Sequence, residues 1–311
     1  MILAITLNPS VDIRYELNRL VPDTVNRVDH VSKTAGGKGL NVARVLRQLG
    51  EDVAASGFLG GSLGQFISSE LSRLGIHNYF VDIKGNTRNC IAIIHEGKQT
   101  EILESGPIIS ESESAQFLKW FSEFAPRVKV ITISGSLPKG LDTHFYKKLI
   151  ELAQGVPVLL DTKGELLEAT LSASCKPCLI KPNREELSDL LGRSLENDEQ
   201  IIGALKEEIF ADIPWVVVTL GADGAIVKHG QTWYRAHTPK IEAKSPVGSG
   251  DSVLGGFAAG FVRGLADEEL IKFGLSMGVL NAMEEQTGYV NTEKVAWCMR
   301  QVKLKKSVMT V

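Results

Sequence analysis

The chain has 311 residues, of which 43% are hydrophobic and 23% are charged, and its formal net charge is −3. This length and composition are typical of a globular protein with one large α/β domain, with or without a small attachment. The absence of a basic excess argues against a nucleic-acid partner, and four cysteines are too few for a disulfide-based fold of this size.

The apolar N-terminal run, residues 1–7, ends at Asn8, well short of a signal or membrane-spanning segment. We therefore expect a cytoplasmic protein that does not associate with membranes. Two later segments, 11–35 and 86–103, alternate between apolar and polar residues as β-strands do. Each is too small to fold alone, so we expect them to pair into a lid sheet over the ligand edge. A second subunit would cover its outer face, which favours a homodimer.

A glycine cluster at 36–44 opens an apolar helical pattern. It lacks the spacing of a Walker P-loop and of the dinucleotide fingerprint. Its glycines let the backbone approach a compact polar ligand, while Lys38 supplies a charge and Asn41 an amide at the same helix start. The motif alone fits either a ligand site or an ordinary glycine-rich turn.

From about residue 105, apolar runs of strand length alternate with helical patterns, which predicts a parallel sheet covered by helices on both faces. Such sheets bind ligands at the carboxyl ends of their strands. Polar residues that follow a strand are therefore candidates for a site, and they include Asn8–Ser10, Ser134–Ser136, Asp161–Thr162, Lys181–Asn183 and Thr219–Gly221.

The basic segment 303–306, near the end of the chain, is interpreted as a solvated tail.

Asn183 and Glu186 lie three residues apart and share one face of a predicted helix. An amide oxygen and a carboxylate suit Mg²⁺ that is held partly through water. The same pair also suits a capping box, with Asn183 as the N-cap and Glu186 at position N3. Both roles are compatible with each other.

The segment Gly248-Ser249-Gly250-Asp251 stands at the start of another apolar helical pattern. Free backbone N–H groups and the positive end of the helix dipole can converge there on a phosphate. Asp251 lies in the first turn, where a carboxylate can accept the proton of a hydroxyl that attacks phosphorus. The alternative is a glycine-rich turn with Asp251 as a helix cap.

These motifs resemble one family over the whole chain. The segments 36–44, 183–186, 219–224 and 248–251 occur in the order and spacing of the ribokinase-like (PfkB) carbohydrate kinases. Within that family the chain is similar to the branch of tagatose-6-phosphate kinases and 1-phosphofructokinases. The stretch from Thr87 to Glu104 looks closer to the former.

The resemblance implies an α/β three-layer sandwich with a mostly parallel central sheet and a small β-sheet lid. The core is expected to comprise residues 1–10, 36–85 and 104–311, and the lid residues 11–35 and 86–103. The implied reaction is ATP-dependent phosphorylation of D-tagatose 6-phosphate at C1, with Mg²⁺. Phosphorylation of fructose 1-phosphate is the alternative.

The resemblance also implies roles for individual residues. Asp251 is the expected general base, and Gly248, Ser249 and Gly250 stabilise the transferring group. Asn183 and Glu186 organise Mg²⁺. The residues expected to bind the sugar phosphate are Asp12, Arg27, Gly37, Lys38, Asn41, Arg88, Cys90 and Ser136, of which Arg27, Lys38 and Arg88 read its phosphate. The residues expected to bind the nucleotide are Lys181, Asn183, Thr219, Gly221, Ala222, Gly224 and Asn281, the last near the adenine.

Two other function classes fit the sequence less well. A sugar-phosphate or nucleotide sensor on a kinase scaffold has no need of a base, so the presence of Asp251 argues against this class. A dinucleotide-dependent dehydrogenase needs a glycine fingerprint after the first strand, and Asn8-Pro9-Ser10 has none.

Overall fold

A computed structural model describes residues 1–308. The strands are β1 (Ile2–Thr6), β2 (Ser10–Leu17), β3 (His30–Gly36), β4 (Val53–Leu59), β5 (His77–Asn78), β6 (Val81–Asp82), β7 (Arg88–His95), β8 (Lys98–Leu103), β9 (Val130–Ser134), β10 (Val158–Asp161), β11 (Leu179–Ile180), β12 (Trp215–Thr219), β13 (Ala225–His229), β14 (Thr232–His237) and β15 (Lys303–Val308). The α-helices are α1 (Lys38–Gln48), α2 (Gly61–Arg73), α3 (Glu111–Phe124), α4 (Phe145–Leu152), α5 (Glu165–Leu171), α6 (Arg184–Leu191), α7 (Asp198–Ala204), α8 (Ser249–Arg263), α9 (Asp267–Ala282) and α10 (Val295–Gln301).

The central sheet has the strand order β15-β14-β13-β12-β11-β10-β9-β1-β4-β5, and β6 also pairs with β4. Strands β4, β1, β9, β10, β11 and β12 run parallel, and β13, β14 and β15 add an antiparallel edge. The prediction of an α/β fold with a mostly parallel sheet is confirmed.

Helices cover both faces of this sheet because its central strands are apolar on both sides. In β1, Ile2 and Ala4 pack into the core under α1, α8 and α9, whereas Leu3 and Ile5 pack into the core under α3 and α4. The carboxyl ends of these buried strands therefore open at one edge, between the starts of α1 and α8.

A smaller, separate sheet has the order β3-β2-β7-β8 and is built from the two segments predicted to form a lid, so it is called the lid sheet below. Strands β2 and β7 run parallel and place Asp12 beside Cys90. Strand β3 leads directly into α1, so the lid joins the central sheet at the glycine cluster.

The interpretation of residues 303–306 as a solvated tail is wrong. These residues begin β15, which pairs antiparallel with β14 and forms an edge of the central sheet. Lysines on an edge strand discourage pairing with other molecules, so the basic composition marks the edge itself. The last three residues of the predicted core segment 104–311 lie outside the described residues. Within residues 1–308, none of the helices has the length and apolar character needed to cross a membrane.

Candidate active site

The site is built around the N-terminus of α8. Gly248 is the N-cap residue and has φ of 79°, a left-handed conformation that glycine adopts without strain. A Cβ atom there would also lie 2.5 Å from the Thr287 side chain. The amide of Asn281 donates to the carbonyl of Val247 (2.8 Å) and accepts from the N–H of Gly288 (2.8 Å). Asn281 thus holds the glycine loop in place, and its contact with adenine stays a prediction.

Asp251 is only 5% exposed although it lies in the first turn of α8. Its Oδ2 accepts a hydrogen bond of 2.8 Å from the Nδ2 of Asn41 on α1. The N-cap position of α8 is held by Gly248, which has no side chain. The alternative of Asp251 as a helix cap is therefore wrong, and its carboxylate faces the space between the two helix starts.

A second carboxylate lies near Asp251, and in the sequence it is only one of several polar residues that follow a strand. Asp161 ends β10 and is almost fully buried. Its oxygens lie 3.3 Å from Nζ of Lys181 and 3.7 Å from Nζ of Lys38. The site therefore pairs two buried acids with two lysines.

This arrangement sets the proton affinity of Asp251. Burial and the nearby Asp161 carboxylate raise the pKa of Asp251 to about 7, against the lowering effects of Lys38, the Asn41 hydrogen bond and Lys181. Groups whose pKa lies near the working pH are suited to proton transfer.

Lys38 and Lys181 have different surroundings in the site. Burial lowers the pKa of Lys38, but the carboxylates of Asp161, Asp251 and Glu186 outweigh it and raise the pKa overall. Lys181 lies under the glycine loop, where a Cβ atom on Gly250 would come within 3.1 Å of its Nζ. Both cations thus face the region where a transferring phosphoryl group would carry negative charge.

Asp12 defines the lid side of the site. Its Oδ1 accepts a hydrogen bond of 2.7 Å from Ser10 Oγ, and burial raises its pKa. The carboxylate packs so closely on Gly36 that a Cβ atom there would lie about 2.0 Å from Asp12 Cγ. Gly37, with φ of 106°, turns the chain from β3 into α1. The predicted sugar residues Asp12, Gly37, Lys38, Asn41 and Cys90 thus come from adjoining elements.

The remaining predicted sugar residues differ in their surroundings. Arg88 is half-buried, and its guanidinium donates to the carbonyls of Asn8 (3.2 Å) and Glu104 (2.8 Å). Arg27 and Ser136 are exposed, and no hydrogen bond or ion pair of either is recorded within residues 1–308. Their roles stay predictions.

Most of the residues predicted to bind the nucleotide lie where β11 and β12 end. Asn183 Oδ1 accepts from the Glu186 N–H (2.8 Å) and Glu186 Oε2 accepts from the Asn183 N–H (3.0 Å), which confirms the capping box. A backbone bridge joins Asn183 to Thr219. The turn after Thr219 uses Gly221 and Gly224 at positive φ, and the carbonyl of Ala222, in the same turn, accepts a hydrogen bond from Thr238 Oγ1. The predicted nucleotide residues other than Asn281 thus share this sheet edge with Lys181.

A parallel sheet whose carboxyl edge joins buried acids, lysines and a glycine-rich helix start is typical of enzymes that transfer phosphoryl groups. The sequence model of the pfkB family carbohydrate kinases matches residues 5–294. The chain belongs to this family.

Two curated relatives, the tagatose-6-phosphate kinases of two Staphylococcus epidermidis strains, are 50% identical to the chain over 307 residues. The alignments cover 98% of this chain and 99% of each relative. The predicted family membership is confirmed.

Solved structures also match. Phosphofructokinase-2 from Escherichia coli, in complex with potassium, gives a TM-score of 0.89 at 28% identity and covers 96% of this chain and 98% of that chain. A possible 1-phosphofructokinase from Thermotoga maritima gives 0.88 at 26% identity, covering 98% and 99%.

Proposed function

We propose that the protein transfers the γ-phosphoryl group of ATP to the C1 hydroxyl of D-tagatose 6-phosphate, which yields D-tagatose 1,6-bisphosphate and ADP. The observation that carries this proposal is the buried Asp251 carboxylate at the glycine-rich start of α8, in a chain that is 50% identical to tagatose-6-phosphate kinases over almost its full length.

Asp251 acts as the general base. It accepts the proton of the C1 hydroxyl as that oxygen forms a bond to the γ-phosphorus and the bond from phosphorus to the bridging oxygen of ADP breaks. Backbone N–H groups of the 248–250 loop stabilise the charge on the transferring group, because they lie at the positive end of the α8 dipole. Lys181 lies beneath that loop and adds positive charge.

The donor set near α6 fits Mg²⁺ that is bound mainly through phosphate and water. The capping box engages Asn183 Oδ1 and Glu186 Oε2, which leaves the other carboxylate oxygen of Glu186 for the ion. Residues 1–308 contain no group of three or more His, Cys, Asp or Glu side chains that could hold a metal, and Mg²⁺ in nucleotide sites needs only one or two carboxylates. When bound, Mg²⁺ neutralises charge on the phosphates of ATP.

The residues predicted to bind the phosphate do not distinguish between the candidate sugar phosphates. A ketohexose 6-phosphate and a 1-phosphate both carry a primary hydroxyl and a phosphate at opposite ends of a similar ring, so Arg27, Lys38 and Arg88 could hold either. Tagatose and fructose differ at C4, where an unpaired buried polar group costs about 1–3 kcal/mol. That cost supports a preference of roughly ten- to a hundredfold.

A coupled assay of ADP release over tagatose 6-phosphate, fructose 6-phosphate and fructose 1-phosphate tests this proposal. We expect the highest kcat/KM for tagatose 6-phosphate, with fructose 6-phosphate a poor second. A higher kcat/KM for fructose 1-phosphate would make the protein a 1-phosphofructokinase. Binding of sugar phosphate without any ADP release would favour the sensor.

We also propose that the protein is a cytoplasmic homodimer joined through the lid sheets. One lid face carries a band of apolar residues in register, comprising Val31, Tyr15 and Ile93 in one row and Ile13, Ile91 and Ile102 in the next. Helix α2 packs on β2 and β3, yet Val31 and Ile102 stay about half exposed. A second lid would bury the members of this band that are still exposed.

A further inference from the structure

Arg44 is a buried cation with no anion beside it. It lies in α1 and is only 7% exposed, and no carboxylate oxygen within residues 1–308 lies within 4 Å of its guanidinium. Burial lowers its pKa, although the more distant charges of Asp12, Glu70 and Asp251 oppose that effect. A buried charge without an ionic partner carries a desolvation cost that hydrogen bonds have to offset.

The hydrogen bonds of Arg44 reach three parts of the site. Its Nη1 donates to Asn41 Oδ1 (3.1 Å) and to the carbonyl of Thr287 (2.9 Å), and its Nη2 donates to the carbonyl of Ala35. Ala35 belongs to β3, directly before the two glycines that join the lid to α1. Thr287 precedes Gly288, which Asn281 ties to the loop before Asp251.

The contact with Asn41 fixes the orientation of its amide. A guanidinium can only donate hydrogen bonds, so the atom of Asn41 that faces Arg44 is the oxygen. The amide nitrogen then faces Asp251 and donates to its carboxylate. An amide rotated by half a turn would present oxygen to Asp251, and this would favour the protonated carboxyl, which cannot accept a proton from the sugar.

We propose that Arg44 is a positioning residue for the reaction: it holds the Asn41 amide in the orientation that directs Nδ2 to Asp251, and it links that amide to the lid strand β3. Arg44 acts through Asn41 and does not touch the reacting groups. This inference rests on the proposed function because it assigns Asp251 as the base.

The variant Arg44→Met removes every guanidinium contact while keeping an unbranched side chain. We expect kcat at about pH 7 to fall roughly five- to tenfold, with the KM values for sugar phosphate and ATP changed less than about threefold. Arg47→Met is the matched control, because Arg47 lies three residues on in α1, is exposed, and donates only to the carbonyls of Leu74 and Glu51. It should leave kcat unchanged.

The pH profile separates positioning from packing. The charged groups that act most strongly on Asp251 are Asp161, Lys38 and Lys181, and they remain in the variant, whereas the more distant charge of Arg44 is lost. Arg44→Lys keeps that charge, so a pH shift confined to Arg44→Met would come from the lost charge and would overturn the inference. If the Asn41 amide loses its fixed orientation, the acid limb of kcat/KM should move about one pH unit upward, and activity should recover toward wild type at about pH 9. An equal loss of activity at every pH would mean a structural role only and would overturn the inference.

A double-mutant cycle supplies the second test. If Arg44 acts through Asn41, the double variant Asn41→Ala with Arg44→Met should be no slower than Asn41→Ala alone, within about threefold. Fully additive losses would contradict the inference. Arg44→Lys keeps the charge but cannot serve three acceptors, so it should show a smaller loss of the same kind. If neither Arg44 variant folds, Arg44 is a structural residue and the inference is wrong.

These assays use whichever sugar phosphate the wild-type enzyme turns over fastest. A wrong substrate assignment would therefore leave the role of Arg44 testable. Failure of the wild-type enzyme to phosphorylate any of the three sugar phosphates would contradict both proposals.

Discussion

Asp251 is buried at the position where the proposed reaction needs a proton acceptor. The substitution Asp251→Asn keeps the shape of the side chain and removes its basicity, so kcat should fall by about two to four powers of ten while both KM values change little. Steady-state kinetics of the purified variant measures this effect. Near-normal turnover would exclude Asp251 as the base.

The raised pKa of Asp251 also has a consequence for stability. A group whose folded pKa lies above its unfolded value stabilises the fold fully below the unfolded pKa and loses that contribution as the pH rises through the folded value. For Asp251 this window runs from about 4 to about 7, and the rise corresponds to at most about 4 kcal/mol.

Asp251→Asn should therefore be more stable than wild type at about pH 8, and the difference should shrink as the pH falls toward 4. Denaturant unfolding of both proteins at several pH values measures the difference. A constant difference across that range would mean that the Asp251 carboxyl is not the group that titrates. The same ionisation should place the acid limb of wild-type kcat/KM near pH 7.

Arg88 lies on the lid strand β7 and ties it to the core segments beside it, since its guanidinium donates to the carbonyls of Asn8 and Glu104. Arg88→Ala should raise KM for the sugar phosphate about ten- to a hundredfold, because a charge-assisted contact contributes roughly 1.5–3 kcal/mol, and should affect KM for ATP much less. Arg19→Ala, at an exposed position in the loop between β2 and β3, is the control. Equal changes in both KM values would place Arg88 outside the sugar site.

At the scale of elements, helix α1 depends on its close approach to the central sheet. A Cβ atom on Gly39 would lie 2.2 Å from Thr6 Oγ1 and 2.5 Å from the carbonyl of Ile5. Gly39→Ala should therefore push the start of α1 away from the sheet, cost about 1–3 kcal/mol of stability and lower kcat, because Lys38 and Asn41 move with the helix.

Gly203→Ala is the matched comparison. Gly203 lies inside α7, and a Cβ atom there would meet no atom within 4 Å. Alanine should raise stability there by about 0.5–1 kcal/mol, since it is the better helix former, and leave kcat unchanged. Thermal unfolding and kinetics of the two variants measure both effects. Similar stability changes would show that the contact of Gly39 with β1 is not decisive.

The elements that the sequence revealed are those whose pattern depends on burial alone. The runs that became β9, β10 and β12 are buried throughout or nearly so, and apolar runs between helices predict such strands. Strand β15 was missed because an edge strand exposes its side chains, and a lysine-rich segment reads as solvated. Only its pairing with β14 reveals it.

The site residues divide in the same way: those in local sequence motifs could be predicted, and those whose role depends on contacts between distant elements could not. Glycine motifs are local, so 36–44 and 248–251 were visible as helix starts. Asp161 was visible only as one of several polar residues after a strand, since its pairing with Lys38 and Lys181 joins three elements. Arg44 lay within the glycine motif, but its role depends on Ala35 and Thr287, and the latter lies 243 residues away in the chain.

At the scale of the whole molecule, the lid is the part that the core does not fully cover. Val31 lies in the apolar band on the lid face and is 47% exposed. A charge at this position would oppose burial against a second lid, because an unpaired charge in an apolar contact is costly. Val31→Asp should therefore convert the proposed dimer to a monomer while the core stays folded.

Ile108→Asp is the control, since Ile108 is an even more exposed apolar residue at 71% but lies outside both lid sheet segments. Light scattering at about micromolar concentration should report a dimer for the wild type and for Ile108→Asp, and a monomer for Val31→Asp. If the lid face also closes the sugar site through the dimer, the monomeric variant should show a higher KM for the sugar phosphate and an unchanged KM for ATP. A monomeric wild type with full activity would rule out the lid as an interface. The apolar band would then belong to a lid that covers the site within a single chain.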